Sequence, residues 1–116
     1  MELQQKVNDL NRMIQSGQAL EAFETYYHED LIMQENNEQP RVGKQANREY
    51  EQQFMEMVEE WHNADVKSVA VGKDLTTVEW EMEMTLKGIG RVKRNQVSVQ
   101  RWKDGQIINE RFYYPN

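Results

Sequence analysis

The spacing of hydrophobic residues changes period once along this chain. In the first half, apolar positions recur every three or four residues; in the second they alternate with polar ones. Leu3, Val7, Leu10 and Ile14, with Met13 beside them, predict an amphipathic helix that stops at Gly17. Ala19, Leu20, Phe23 and Tyr27 predict a second helix, ending near His28, Glu29 and Asp30. Residues 31–35 read as a short strand, and residues 36–43, with Pro40 and Gly43, as a loop. From Lys44 a third helix is predicted. Ala46, Tyr50, Phe54, Met57, Val58 and Trp61 form its apolar stripe, Glu49, Glu51, Glu56, Glu59 and Glu60 lie outside it, and His62 and Asn63 close it.

Period two then takes over. Residues 66–71 predict a strand and Gly72, Lys73 and Asp74 a turn. Val78, Trp80, Met82, Met84 and Leu86 alternate with Glu79, Glu81, Glu83 and Thr85, giving one apolar and one acidic face. Gly88, Ile89 and Gly90 break this strand. Two more alternating runs flank Asp104-Gly105, a strong hairpin signal, and Pro115 ends the last of them. The order predicts an α+β fold: a cone-shaped, curled antiparallel sheet covered on one face by three N-terminal helices. Such a sheet leaves a concavity beneath the helices, where ligands usually sit. No break in composition divides residues 1–116, which read as one domain.

Composition narrows the chemistry. The chain has no cysteine, so disulfides, thiol nucleophiles and thiolate metal sites are excluded together. A net charge of −6 argues against nucleic acid as a partner, and no apolar run suits a membrane span. The polar start and the missing cysteines fit a cytoplasmic protein. His28 and His62 each follow a predicted helix end, which favours a cationic imidazole, and their spacing does not suit a metal.

The order of elements, the loop from Gln39 through Pro40, Arg41 and Val42 to Gly43, and the ending Lys103, Asp104, Gly105, Gln106, Ile107, Ile108 with Tyr113 and Tyr114 carry a resemblance. They resemble the nuclear transport factor 2-like superfamily, and within it the SnoaL-like polyketide cyclase group. The resemblance covers nearly the whole chain. It implies a cone-shaped α+β fold and a homodimer through the outer face of the sheet. It does not fix an activity, because one fold carries many chemistries. Glu35 falls where the related ketosteroid isomerases place their base, but Leu10 and Ser98 fall where those enzymes need a tyrosine and a protonated aspartate. The aspartate–arginine–aspartate set of limonene-epoxide hydrolases has no counterpart here.

By the same placement Glu110, Phe112 and Tyr114 face the cavity, with Gln96, Ser98 and Gln100 beside them and Trp80, Met82 and Met84 next. Tyr27, Phe54 and Trp61 complete the expected lining. Glu35 and Glu110 are the candidate catalytic groups, since burial raises a carboxyl into the range useful for acid/base work. SnoaL-like cyclases close a ring without metal or cofactor, using one acidic residue. The expected partner is therefore a small apolar molecule, and no cofactor is expected. A structural alternative pairs Glu110 with Arg41, Arg101 or Arg111 and turns Glu35 to water. A noncatalytic binding or dimerisation module is the competing function. Lys87, Arg91, Lys93, Arg94, Arg101 and Lys103 make a basic cluster that reads as a solvated hairpin edge or an anion patch.

Overall fold

The computed structural model describes residues 1–115, which form three helices and six strands. Helix α1 (Leu3–Gln15) buries Val7 and Leu10 completely and stops at Ser16 and Gly17, where Gly17 takes a positive φ of 82°. Helix α2 (Ala19–Tyr26) buries Ala22, Phe23 and Tyr26. Strands β1 (Tyr27–Glu35) and β2 (Arg41–Val42) follow, then helix α3 (Lys44–Met57). The chain closes with β3 (Val58–Gly72), β4 (Leu75–Leu86), β5 (Gly90–Lys103) and β6 (Gln106–Tyr113).

The sheet order is β2-β1-β6-β5-β4-β3. Every neighbouring pair is antiparallel except β1 and β6, which run parallel, so the sheet is mixed rather than purely antiparallel. Register shifts at three places between β3 and β4 bend the sheet, which stays open and curls around the helices. The predicted Asp104-Gly105 turn joins β5 and β6, with both residues at positive φ, 52° and 80°. That geometry is a type I′ turn, whose twist matches the strands it joins.

Three boundaries differ from the pattern. Tyr27 and His28 belong to β1, because the helix ends at Tyr26 and the backbone turns extended to pair with β6. Strand β2 lies inside the predicted loop, pairing Val42 with Ile32. The third helix ends at Met57, so Val58, Trp61, His62 and Asn63 are strand residues. Partners along the whole of β4 draw them into the ladder, and pairing overrides local preference. The helix-end explanation of the histidines lapses with these boundaries. His28 accepts the Asp30 N–H on Nδ1 at 2.9 Å, and His62 Nε2 meets Thr85 Oγ1 at 2.7 Å.

Helix α3 also turns a different face inward. Ala46 is exposed, as are Tyr50 and Met57 in part, while Lys44 and Asn47 are buried and Glu51 and Phe54 are half-buried. The inner side can be polar because it meets backbone and a hollow rather than a packed core. Lys44 Nζ donates to Glu24 O at 3.1 Å, and Asn47 Nδ2 donates to Gly43 O at 2.8 Å and Arg41 O at 3.0 Å.

On the outer sheet face the acidic side of β4 is answered by its own neighbours. Glu81 lies 3.8 Å from Lys67 on β3 and 3.6 Å from Lys93 on β5, Glu83 pairs with Arg91, and Ser68 donates to Glu79. The basic cluster therefore divides: Arg91 and Lys93 serve these pairs, Lys87, Arg101 and Lys103 are exposed, and Arg94 turns to the inner face. Among the described residues no helix is long and apolar enough to cross a membrane.

Candidate functional site

The curl of the sheet and the span of the helices leave a cavity of about 450 Å³. Its lining alternates along each strand as the pleat requires. Strand β4 supplies Trp80, Met82 and Met84, all buried. Strand β5 supplies Arg94, Gln96, Ser98 and Gln100, and β6 supplies Glu110 and Phe112. Tyr27 and Glu35 enter from β1, Phe54 and Glu51 from α3, and Trp61 from β3, its ring edge-on to Phe54 at 6.5 Å. Tyr114 stands outside the lining but donates its hydroxyl to Glu35 Oε1 at 3.2 Å. The structure thus gathers the residues expected to line the cavity around one hollow, with Tyr114 at its edge.

The two expected carboxyls have opposite surroundings. Glu35 is buried and carries an ion pair: Arg41 Nη2 reaches its Oε2 at 2.8 Å. Glu110 has no cation partner among the described residues. Tyr27 donates to its Oε1 at 2.5 Å and Gln100 Nε2 to its Oε2 at 2.8 Å. The structural alternative is therefore inverted, because arginine holds Glu35 and neutral donors hold Glu110.

A chain of hydrogen bonds runs through the buried sheet to Glu110. Trp102 Nε1–H is donor only, and it gives to Thr76 Oγ1 at 2.8 Å. The Thr76 hydroxyl must then donate onward, to Gln100 Oε1 at 2.6 Å. That turns the Gln100 amide nitrogen toward Glu110 and makes Oε2 an acceptor. Oε1 in turn accepts from Tyr27. The chain is fully buried and spans β4, β5 and β6.

Burial pushes the Glu110 carboxyl up to about 7, with the charges of Glu51 and Glu35 acting in the same sense and the Tyr27 and Gln100 hydrogen bonds opposing. The Tyr27 phenol is driven well above its usual range, by burial first and then by Glu110. A third carboxyl, Glu51, was hidden in the sequence among the outward glutamates of the helix. It has no ion-pair or hydrogen-bond partner among the described residues, and burial followed by the Glu35 charge raises it to about 7. The signal was its spacing: seven residues beyond Lys44, four beyond Asn47 and three before Phe54, on one face of the helix. Among the described residues no group of three His, Asp or Glu side chains converges as a metal would require.

The family model for the SnoaL-like domain matches residues 1–114. The chain belongs to the SnoaL-like domain family. A crystal structure from Mesorhizobium loti, bearing the name SnoaL-like polyketide cyclase, is similar at 29% identity and a TM-score of 0.87, over 98% of this chain and 100% of that one. An LEH-like epoxide hydrolase from Mycobacterium tuberculosis shares the fold at 14% identity and a TM-score of 0.77, covering 96% and 80%. So does a Catenulispora acidiphila protein of ketosteroid isomerase-like fold, solved with trimethylamine, at 16% identity and a TM-score of 0.73, covering 88% and 79%. No curated protein matches. The α+β cone expected from the hydrophobic pattern is thus the fold of this SnoaL-like domain.

Proposed function

We propose that this SnoaL-like domain is a general acid/base catalyst acting on a small apolar or ring-containing carbonyl compound, with Glu110 as the base. The observation that carries this reading is the pair Glu110 and Glu51. Both carboxyls line one largely apolar cavity, neither is ion-paired among the described residues, and burial raises both to about 7. Two carboxyls that influence each other share their titration, so near neutrality one holds a proton while the other does not. Ionised Glu110 removes a proton from the carbon next to the carbonyl. Protonated Glu51 gives its proton to the carbonyl oxygen, leaving an enol, a neutral Glu110 and an ionised Glu51. In a conjugated dienol, return of the Glu110 proton to the far carbon, with ionised Glu51 taking back the enol proton, isomerises the compound; attack of the enol carbon on a second carbonyl closes a ring, Glu51 recovering the enol proton and neutral Glu110 protonating the new alkoxide. The name of the M. loti structure points to the same class of chemistry.

Glu35 is the weaker candidate, because the Arg41 guanidinium holds it in an ion pair, whereas the partners of Glu110 are neutral. The reading is tested by proton exchange. Cyclohexanone is incubated in D2O with the protein and loss of its α-proton signal is followed by 1H NMR. Acceleration is expected to rise through about pH 7 and to fall to background in Glu110→Gln. An exchange rate unchanged by that substitution, or no acceleration across ring ketones of this size, removes the proposal.

A further inference from the structure

We infer that the mouth of the cavity is an anion site centred on Arg94, so that the ligand class is a carbonyl compound bearing a carboxylate. The carbonyl half of this statement rests on the acid/base reading; the carboxylate half rests on the mouth alone.

Two guanidinium groups and one carboxylate meet there. Arg41 is committed: its Nη2 binds Glu35, its Nε donates to Asn47 Oδ1 at 3.1 Å, and its guanidinium lies 3.6 Å from the centre of the Tyr50 ring. Glu35 is the carboxylate of that pair. Arg94 is left over. It lines the cavity, is half-buried, and has no ion pair or hydrogen bond among the described residues. Two rings hold it, Tyr114 at 4.3 Å and Phe54 at 5.9 Å. Stacking occupies the flat face of a guanidinium and leaves its N–H edge free, in the fork geometry that a carboxylate matches. Arg94 therefore presents a donor edge without an acceptor among the described residues.

The floor below Arg94 points the same way. Gln96 and Ser98 are the next two inward residues of β5; they are 9% and 1% exposed, line the cavity, and have no side-chain partner among the described residues. Buried polar side chains are normally satisfied, so unpartnered ones on a cavity wall mark where ligand atoms belong. The following inward residue, Gln100, is already used to hold Glu110. Strand β5 thus offers a guanidinium at the mouth, two free polar groups midway, and at the inner end the Gln100 amide that holds the base on β6. Arg94 and Ser98 are separated by roughly 13 Å of strand, from which the length of the arginine is subtracted. A single ring with a carboxylate opposite its carbonyl spans that gap.

The test uses 4-oxocyclohexane-1-carboxylate and its methyl ester as probes, titrated into 15N-labelled protein. The carboxylate is expected to bind about tenfold tighter than the ester, the worth of one charge-assisted hydrogen-bonded contact. Added NaCl narrows the difference. Arg94→Met abolishes the preference without weakening the ester, and Arg94→Lys, which keeps the charge but not the fork, retains part of it. Equal binding of the two probes, a preference that survives Arg94→Met, or no carboxylate binding at millimolar concentration overturns the inference. A carboxylate preference without any proton exchange leaves the anion site standing and removes the acid/base reading; exchange without the preference does the reverse.

Discussion

Tyr27 donates its hydroxyl to Glu110 Oε1 across 2.5 Å, joining residues 83 positions apart at the inner wall of the cavity. Oε2 accepts from Gln100, so each Glu110 oxygen has one neutral donor. Tyr27→Phe removes the donor that favours the ionised form. The Glu110 carboxyl is then expected to move up from about 7 by roughly one to two pH units, the worth of a hydrogen bond to a charged group. Carbonyl 13C shifts of glutamate-labelled protein, assigned with Glu110→Gln, measure it. A carboxyl that stays put or moves down contradicts the arrangement.

Thr76 acts on Glu110 from two bonds away. Thr76→Val keeps the shape but strands the Trp102 indole N–H and the Gln100 amide oxygen in a fully buried place. Unsatisfied buried groups cost about 1–3 kcal/mol each, so a stability loss of about 2–4 kcal/mol is expected in urea titration. With Gln100 free to flip, Oε2 no longer has to accept, and the Glu110 titration broadens and shifts. A merely destabilised chain leaves that titration where it was.

Stability should fall as pH rises through the acid side of neutrality. Glu110 has its folded value raised from 4.5 to about 7. The folded state therefore binds more protons than the unfolded chain between those values, and stability drops with increasing pH there. The full effect is roughly 3 kcal/mol, complete above about pH 7. Thermal melts from pH 4.5 to 8 are expected to slope downward in the parent chain. Glu51, raised in the same way, contributes a slope of the same sign, so Glu110→Gln is expected to lessen the slope without abolishing it; an equal slope in both proteins rejects the assignment.

Asn11 gives the opposite kind of prediction. It is 4% exposed on α1, beside Leu10, and neither its side-chain nitrogen nor its oxygen has a hydrogen-bond partner among the described residues. An apolar residue of similar shape removes that penalty. Asn11→Leu is expected to stabilise the fold by about 1–3 kcal/mol, read as a raised urea midpoint with unchanged slope.

The fold was legible wherever residues reported a periodicity that packing also demands. Trp80, Met82 and Met84 alternated in sequence because β4 is half-buried, and they line the cavity for that reason. Asp104 and Gly105 marked their turn because few other residues tolerate its backbone. The pattern misled where a helix covers a hollow. Helix α3 buries Lys44 and Asn47 against backbone and turns Glu51 to the cavity beside Tyr50 and Phe54, so counting apolar residues found only part of its inward side. Val58 to Asn63 misled because strand pairing with β4 is a long-range event that local spacing does not record. Glu110 was found through its place on the last strand, but the neutral character of its partners was not. That depends on Tyr27, Thr76 and Gln100 converging from β1, β4 and β5, and no stretch of sequence contains it.

The parallel pairing of β6 with β1 has a consequence for how the domain is made. Strand β6 sits between β1 and β5, in the interior of the sheet, yet it leaves the ribosome after the other five strands. Until it arrives, β1 and β5 present two unpaired inner edges, and the hollow has no floor beneath Tyr27. Such long-range closure is slow and leaves a sticky intermediate. A nascent chain halted before Gln106 is the form of this protein most exposed to aggregation and chaperone capture.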